Sequence, residues 1–183
     1  MFAPLTALKT ALRRFARARR GSSAVEFTIV VFPFFLLTFG LAEVAMIGFA
    51  QTSLNFAVSE VSRQIRTGQA QMGGVSAGEI EQRLCQEINS FLVMECDGNL
   101  YLDVDRFDSF TNASNGAATP IQNGEFQASG FGYAPGNASD IVVVRAYYRW
   151  KVMTPLFEPV FSNVSNGERI LVSTMMFRNE PFQ

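Results

Sequence analysis

Residues 21–50 read GSSAVEFTIVVFPFFLLTFGLAEVAMIGFA, and the fold turns on how this stretch is read. One acid, Glu26, lies just inside an apolar run that carries no further charge until Glu43. Placing a carboxylate near a membrane boundary costs about 1 to 3 kcal/mol, so such a residue points to function. At 1.5 Å per residue, Glu26 and Glu43 are separated by about 25 Å of helix, slightly less than a hydrocarbon core about 30 Å thick. The two carboxylates are therefore expected to bracket the lipid, with Val44 to Ala50 carrying the apolar face outward. Pro33 has no amide hydrogen and predicts a kinked or locally loosened anchor, which membrane helices tolerate.

Upstream, residues 1–20 hold Lys9, Arg13, Arg14, Arg17, Arg19 and Arg20 and no acid. The whole chain has a net charge of −1, and without those six cations nine basic residues face sixteen acids, a net −7. An acidic remainder argues against nucleic acid as a partner. A cationic arm directly before an apolar span follows the positive-inside rule and places the N-terminus on the cytoplasmic side. Two other readings of the span stay open. One is a secretory signal cleaved after Gly48-Phe49-Ala50, against which stand the length of the run and the charge of Glu43. The other is a plain uncleaved anchor.

Downstream, Leu54, Val58, Val61 and Ile65 recur at helical spacing, opposite Ser59, Glu60, Arg63, Gln64 and Arg66. This predicts that the membrane helix continues as an amphipathic one and ends near Gly68. Ser76-Ala77-Gly78-Glu79 fits a capping box opening a second helix, with Ile80, Leu84, Ile88 and Leu92 in one apolar row. From Leu100 the period becomes two, with Leu100, Leu102 and Val104 against Tyr101, Asp103 and Asp105. Residues 108–140 are rich in Gly, Asn, Ser and Ala and predict a long surface excursion, with a short strand at Glu125 to Ala128. The clearest strand is Ile141 to Val152. Its even-numbered residues form an apolar face, and Arg145, Tyr147, Arg149 and Lys151 form the other, which is read as the solvated face of a central antiparallel strand. A nucleic-acid platform is the weaker reading of that basic face. A last strand is expected over Ile170 to Phe177.

The basic leader, the small residues and Glu26-Phe27 ahead of an apolar helix resemble the processing site of type IV prepilin-like proteins. Gly21 would then be the last leader residue, Ser22 the first mature one, and Glu26 the glutamate kept at the fifth mature position. The C-terminal half extends the likeness. Asp140-Ile141-Val142-Val143-Val144-Arg145, Tyr147-Tyr148-Arg149-Trp150, Thr154-Pro155-Leu156 and Phe177-Arg178-Asn179-Glu180-Pro181-Phe182 look like the TadE-like family of pseudopilins. The resemblance implies a minor subunit of the tight-adherence (Flp) pilus with a structural role in assembly and surface adhesion. It further implies cleavage by a prepilin peptidase, and partners among the major pilin, the minor pseudopilins, an inner-membrane assembly platform and membrane lipid. A larger relative in that system carries a von Willebrand-like domain, for which this chain is too short.

On this reading the fold is α+β and pilin-like. A basic leader over 1–21 precedes a transmembrane helix over 22–50, and a periplasmic or extracellular domain over 51–183 packs a second helix on an antiparallel β-sheet. The chain would cross the bacterial inner membrane once. Cys85 and Cys96 are the two cysteines, and the chain has no histidine. Exported, they are expected to form a disulfide rather than remain buried thiols, contributing about 2 to 3 kcal/mol in the loop-entropy model. With no histidine, nucleophile elbow, phosphate loop or metal-ligand cluster, neither an enzyme nor a cofactor is expected, and Asp103 and Asp105 are read as facing water. The competing function is a membrane-anchored periplasmic binding module, not processed as a prepilin, with Asp108 to Asp140 as its recognition surface.

Overall fold

The computed structural model describes residues 22–89, 94–116 and 120–182, which form two units meeting in sequence at Ala42 and Glu43. Helix α1, Ser22–Arg66, runs through both, and Pro33 lies inside it without ending it. Glu43 is folded into the second unit and is only 3% exposed.

In the second unit, Leu54, Val58, Val61 and Ile65 of α1 are buried, as their spacing requires. Gly68, at φ 79°, turns the chain into the short helix α2, Gln69–Met72. Helix α3, Ala77–Asn89, opens on a capping box. The Ser76 N–H donates to Glu79 Oε2 at 2.7 Å, and the Glu79 N–H donates back to Ser76 Oγ at 3.4 Å. Ile80, Leu84 and Ile88 of α3 join the α1 stripe in one core, whereas Leu92 lies outside the described residues.

Strands β1 (Leu100–Phe107), β4 (Ile141–Lys151) and β5 (Glu168–Arg178) form an antiparallel sheet in the order β1-β4-β5. The central strand turns Val142, Val144, Ala146, Tyr148 and Trp150 onto the helices, the face its alternation predicts. This is the expected α+β arrangement, with α1 and α3 packed on one face of an antiparallel sheet.

The other face of β4 departs from expectation. Arg145 and Tyr147, read as solvated, are 4% and 2% exposed, while Lys151 does face water. The cause is the excursion after β1, which folds back across the sheet. Helix α4, Phe110–Asn115, is capped by Ser109, whose Oγ accepts from the Asn112 N–H at 3.1 Å. Strands β2 (Ile121–Gln122) and β3 (Glu125–Phe126) form a hairpin around Asn123 and Gly124, both at positive φ as a primed turn demands. The expected strand at Glu125 to Ala128 is therefore shorter and paired locally. Beyond the hairpin, Phe131 stacks on Tyr147 at 4.9 Å between ring centroids, and Phe126 lies 5.9 Å from the same ring. Residues 132–134 then lie along the outer edge of β1. The Val104 N–H donates to the Gly132 carbonyl at 2.9 Å and the Ala134 N–H to the Val104 carbonyl at 2.7 Å, covering an edge that would otherwise invite another strand.

Candidate functional site

The residues that sequence assigns to processing and assembly lie at the start of α1. Gly21 and the basic leader fall outside the described residues, Ser22 is the first residue of α1, and Glu26 and Phe27 follow within its first two turns. Glu26 is exposed, as is Phe27 at 68%. Four residues apart on a helix, Ser22 and Glu26 belong to one face. From Phe27 to Leu41 the exposed residues, apart from Thr28 and Thr38 whose hydroxyls bond back to the Ala24 and Phe34 carbonyls, are apolar on every side of the helix, including Val30, Phe34 and Leu37. A helix apolar all round requires a core or a bilayer to cover it. Among the described residues α1 is the one helix long and apolar enough to cross a membrane.

Glu43, expected from sequence to bracket the lipid together with Glu26, closes a polar clasp. Its carboxylate accepts from the Met153 N–H at 3.1 Å, the Thr154 N–H at 3.2 Å and the Thr154 hydroxyl at 3.2 Å. Three donors offset the cost of burying the charge, which an unpaired carboxylate could not meet. Sequence reasoning missed this role because the partners, two backbone amides and one hydroxyl, lie over a hundred positions away. The signal available in the sequence is Thr154-Pro155, where a proline without an amide hydrogen interrupts the alternation after Val152.

Asp103 and Asp105, read as facing water, are paired across the sheet. Arg145 Nη1 lies 3.0 Å from Asp103 Oδ2 and 3.0 Å from Asp105 Oδ2, and Arg145 Nη2 donates to the Gly116 carbonyl at 3.1 Å. Asp103 also accepts from the Gly132 N–H at 3.1 Å, so this buried acid holds the excursion as well as the arginine. All of these partners belong to the protein itself, and the arrangement is an internal tie. The neighbouring Tyr147 phenol is pushed up in pKa, chiefly by burial.

The C-terminal motif forms a second tie. Asn179 is 2% exposed, and its amide donates to the Pro135 and Asn137 carbonyls at 2.9 Å each. The Glu180 N–H donates to the Arg66 carbonyl at 2.8 Å, satisfying an open acceptor at the end of α1, and the Phe182 ring occupies the space beside Gly68 where a side chain would stand. Cys85 and Cys96 are joined in a disulfide with Cα atoms 5.8 Å apart, closing the segment that follows α3. An open groove of about 530 Å³, lined by Ala113, Ile121, Val143, Val172 and Met176, lies on the far face of the sheet.

The family model described as TadE-like protein matches residues 21–63, the stretch that opens at Gly21 and covers nearly all of α1. No curated protein and no solved structure matches the chain.

Proposed function

We propose that this chain, TadE-like over residues 21–63, is a minor pseudopilin of the Tad (Flp) pilus with a structural role in assembly and surface adhesion and no catalytic activity. The observation that carries the reading is where the family match begins. It opens at Gly21, the residue before the helix, and runs along the helix with Glu26 in its second turn. A prepilin peptidase would cut between Gly21 and Ser22 on the cytoplasmic side. The mature chain would keep α1 in the inner membrane with its folded unit in the periplasm, until it joins the major pilin and the other minor pseudopilins through the assembly platform.

Glu26 then has a partner of defined chemistry. The amine freed at Ser22 of a neighbouring subunit is a cation at the depth of the carboxylate. Opposite charges 4 Å apart at an effective dielectric near 20 attract by about 4 kcal/mol before desolvation is subtracted. Such a pair would set the axial register between subunits.

Cleavage is the step to test. Gly21→Val places a branched side chain where the peptidase must fit an extended backbone, and the leader should stay attached, leaving the chain about 2 kDa heavier at about 0.1 kDa per residue over the leader. Intact-mass and N-terminal analysis of membrane-extracted protein checks this. The same N-terminus in wild type and variant would refute the site.

A second reading, an unprocessed membrane-anchored binding module, draws on the open groove beside α4. The packing of the excursion onto Tyr147 leaves less of residues 108–140 for recognition than an open loop would. A mature Ser22 amine separates the two readings.

A further inference from the structure

After β4 ends at Lys151, the chain makes a short detour before returning in β5. It contains a 3₁₀ turn, Pro155–Phe157, and the single-turn helix α5, Glu158–Phe161. Its apolar side chains face outward, with Met153 52%, Leu156 62% and Val160 70% exposed. The rings of Phe157 and Phe161, 5.6 Å apart, are half-buried at its base. An apolar tip of this kind on a soluble surface marks a contact with something apolar.

The root of the detour identifies the partner. Met153 and Thr154 are the residues whose three donors Glu43 holds, and Glu43 directly follows Ala42, the end of the uncharged run. The residue at which the apolar span closes is thus the residue to which the detour is fastened. Leu156 is three residues beyond Met153 and so within about 11 Å of it, a reach comparable with the headgroup layer of a bilayer. Pro155 and Pro159 lack amide hydrogens, so the tip carries fewer donors that would need water. The charges around it are Lys151, exposed at the end of β4, Arg169, which donates to the Phe161 carbonyl at 3.0 Å, and Glu158, held on the side facing Gly167.

We propose that Met153, Leu156 and Val160 insert into the interfacial layer of the leaflet at which α1 leaves the membrane, so that the chain has a second, shallow lipid contact beside its anchor. The inference rests on reading α1 as a membrane span. Lipid, rather than another protein, is the occupant because the tether is at the span's own end, where lipid is present before any subunit assembles.

The test uses the full chain reconstituted in phosphatidylcholine–phosphatidylglycerol vesicles whose acyl chains are brominated near the headgroup. The native Trp150, buried in the core, supplies a background measured on the unsubstituted chain. In Val160→Trp, the added indole should shift to the blue and lose about half its emission to the bromines, as for a side chain about 5 to 10 Å into the interface. Leu156→Trp should behave alike and serves if the first variant folds poorly. Phe35→Trp, within the span, reports on the anchor. Quenching at Phe35→Trp with none at Val160→Trp or Leu156→Trp would overturn the inference while leaving the anchor intact. No quenching at any of the three would overturn the span reading and the inference together. An indole at Val160 that stays unquenched in vesicles but shifts blue on adding pilus subunits would assign the tip to a protein partner and overturn the lipid proposal.

Discussion

Glu43 and Arg145 are charges that fold inward, and each is met in its buried position by several partners held by the fold. For Arg145 the partners are two strand carboxylates in register opposite β4, Asp103 directly across and Asp105 nearby. For Glu43 they are the amides of Met153 and Thr154, held by the turn at the end of β4. Removing one side of such an arrangement strands the other, which costs more than the bond itself contributes. Glu43→Ala should therefore lower stability by about 3 kcal/mol, and Glu43→Gln, which keeps one acceptor oxygen, by about half as much. Urea unfolding of the full chain in detergent, followed by near-ultraviolet circular dichroism, measures both. Equal midpoints for wild type and Glu43→Ala would mean that the clasp adds nothing. Neither burial is visible in a local window of sequence. The near-continuous run Ile141-Val142-Val143-Val144 before Arg145 was nevertheless a sign that both faces of β4 are covered, since a strand solvated on one face alternates more strictly.

The elements join through their ends. Helix α1 ends where Gly68 takes a left-handed φ of 79° and the Phe182 ring covers it, so the end of one element and the tail of another share one small space. Gly68→Ala should cost roughly 3 kcal/mol, part backbone strain and part displacement of the ring. In a Phe182→Ala background the same substitution should cost only about 1 kcal/mol, the strain alone. Thermal denaturation of the four chains gives the coupling, and strict additivity would show that the ring does not depend on the glycine.

At the start of α3 the Ser76 backbone N–H, followed by its hydroxyl, holds the Glu79 carboxyl below its usual pKa. Because the folded value is the lower one, the contribution is fully present above the unfolded carboxylate range, about pH 4.3, and fades as pH falls through the folded value. Wild type should thus lose stability on acidification more steeply than Glu79→Gln, with the two curves converging at low pH. Denaturant midpoints between neutral and acid pH check this, and parallel curves would refute it. The ends of α1 and α3 were legible in sequence because Gly68 and the Ser76–Glu79 box act locally. Helix α4 was not, since Ser109 caps a stretch whose asparagines and serines favour turns equally well.

At the scale of the chain there is an apolar helical unit up to Ala42 and a folded α+β unit from Glu43, and the proposed function divides between them. If Glu26 sets subunit register, Glu26→Ala should still be cut after Gly21 and still enter the inner membrane, yet fail to co-purify with other pilus subunits. Immunoblots of membrane and sheared-pilus fractions decide it, and normal incorporation would leave the charge pairing without support.

The order of the sheet, β1-β4-β5, also bears on how the chain is made. Its middle strand comes late, so β1 waits through the whole excursion for its neighbour, and so does the helical stripe of Leu54, Val58, Val61 and Ile65 that β4 covers. A chain emerging from its N-terminus therefore carries an uncovered apolar ridge until β4 follows, the interval in which non-local sheets are most exposed to aggregation. If the folded unit is exported as proposed, its passage should draw on a periplasmic holding chaperone, whose hold on the nascent chain is released once Ile141 to Lys151 has crossed.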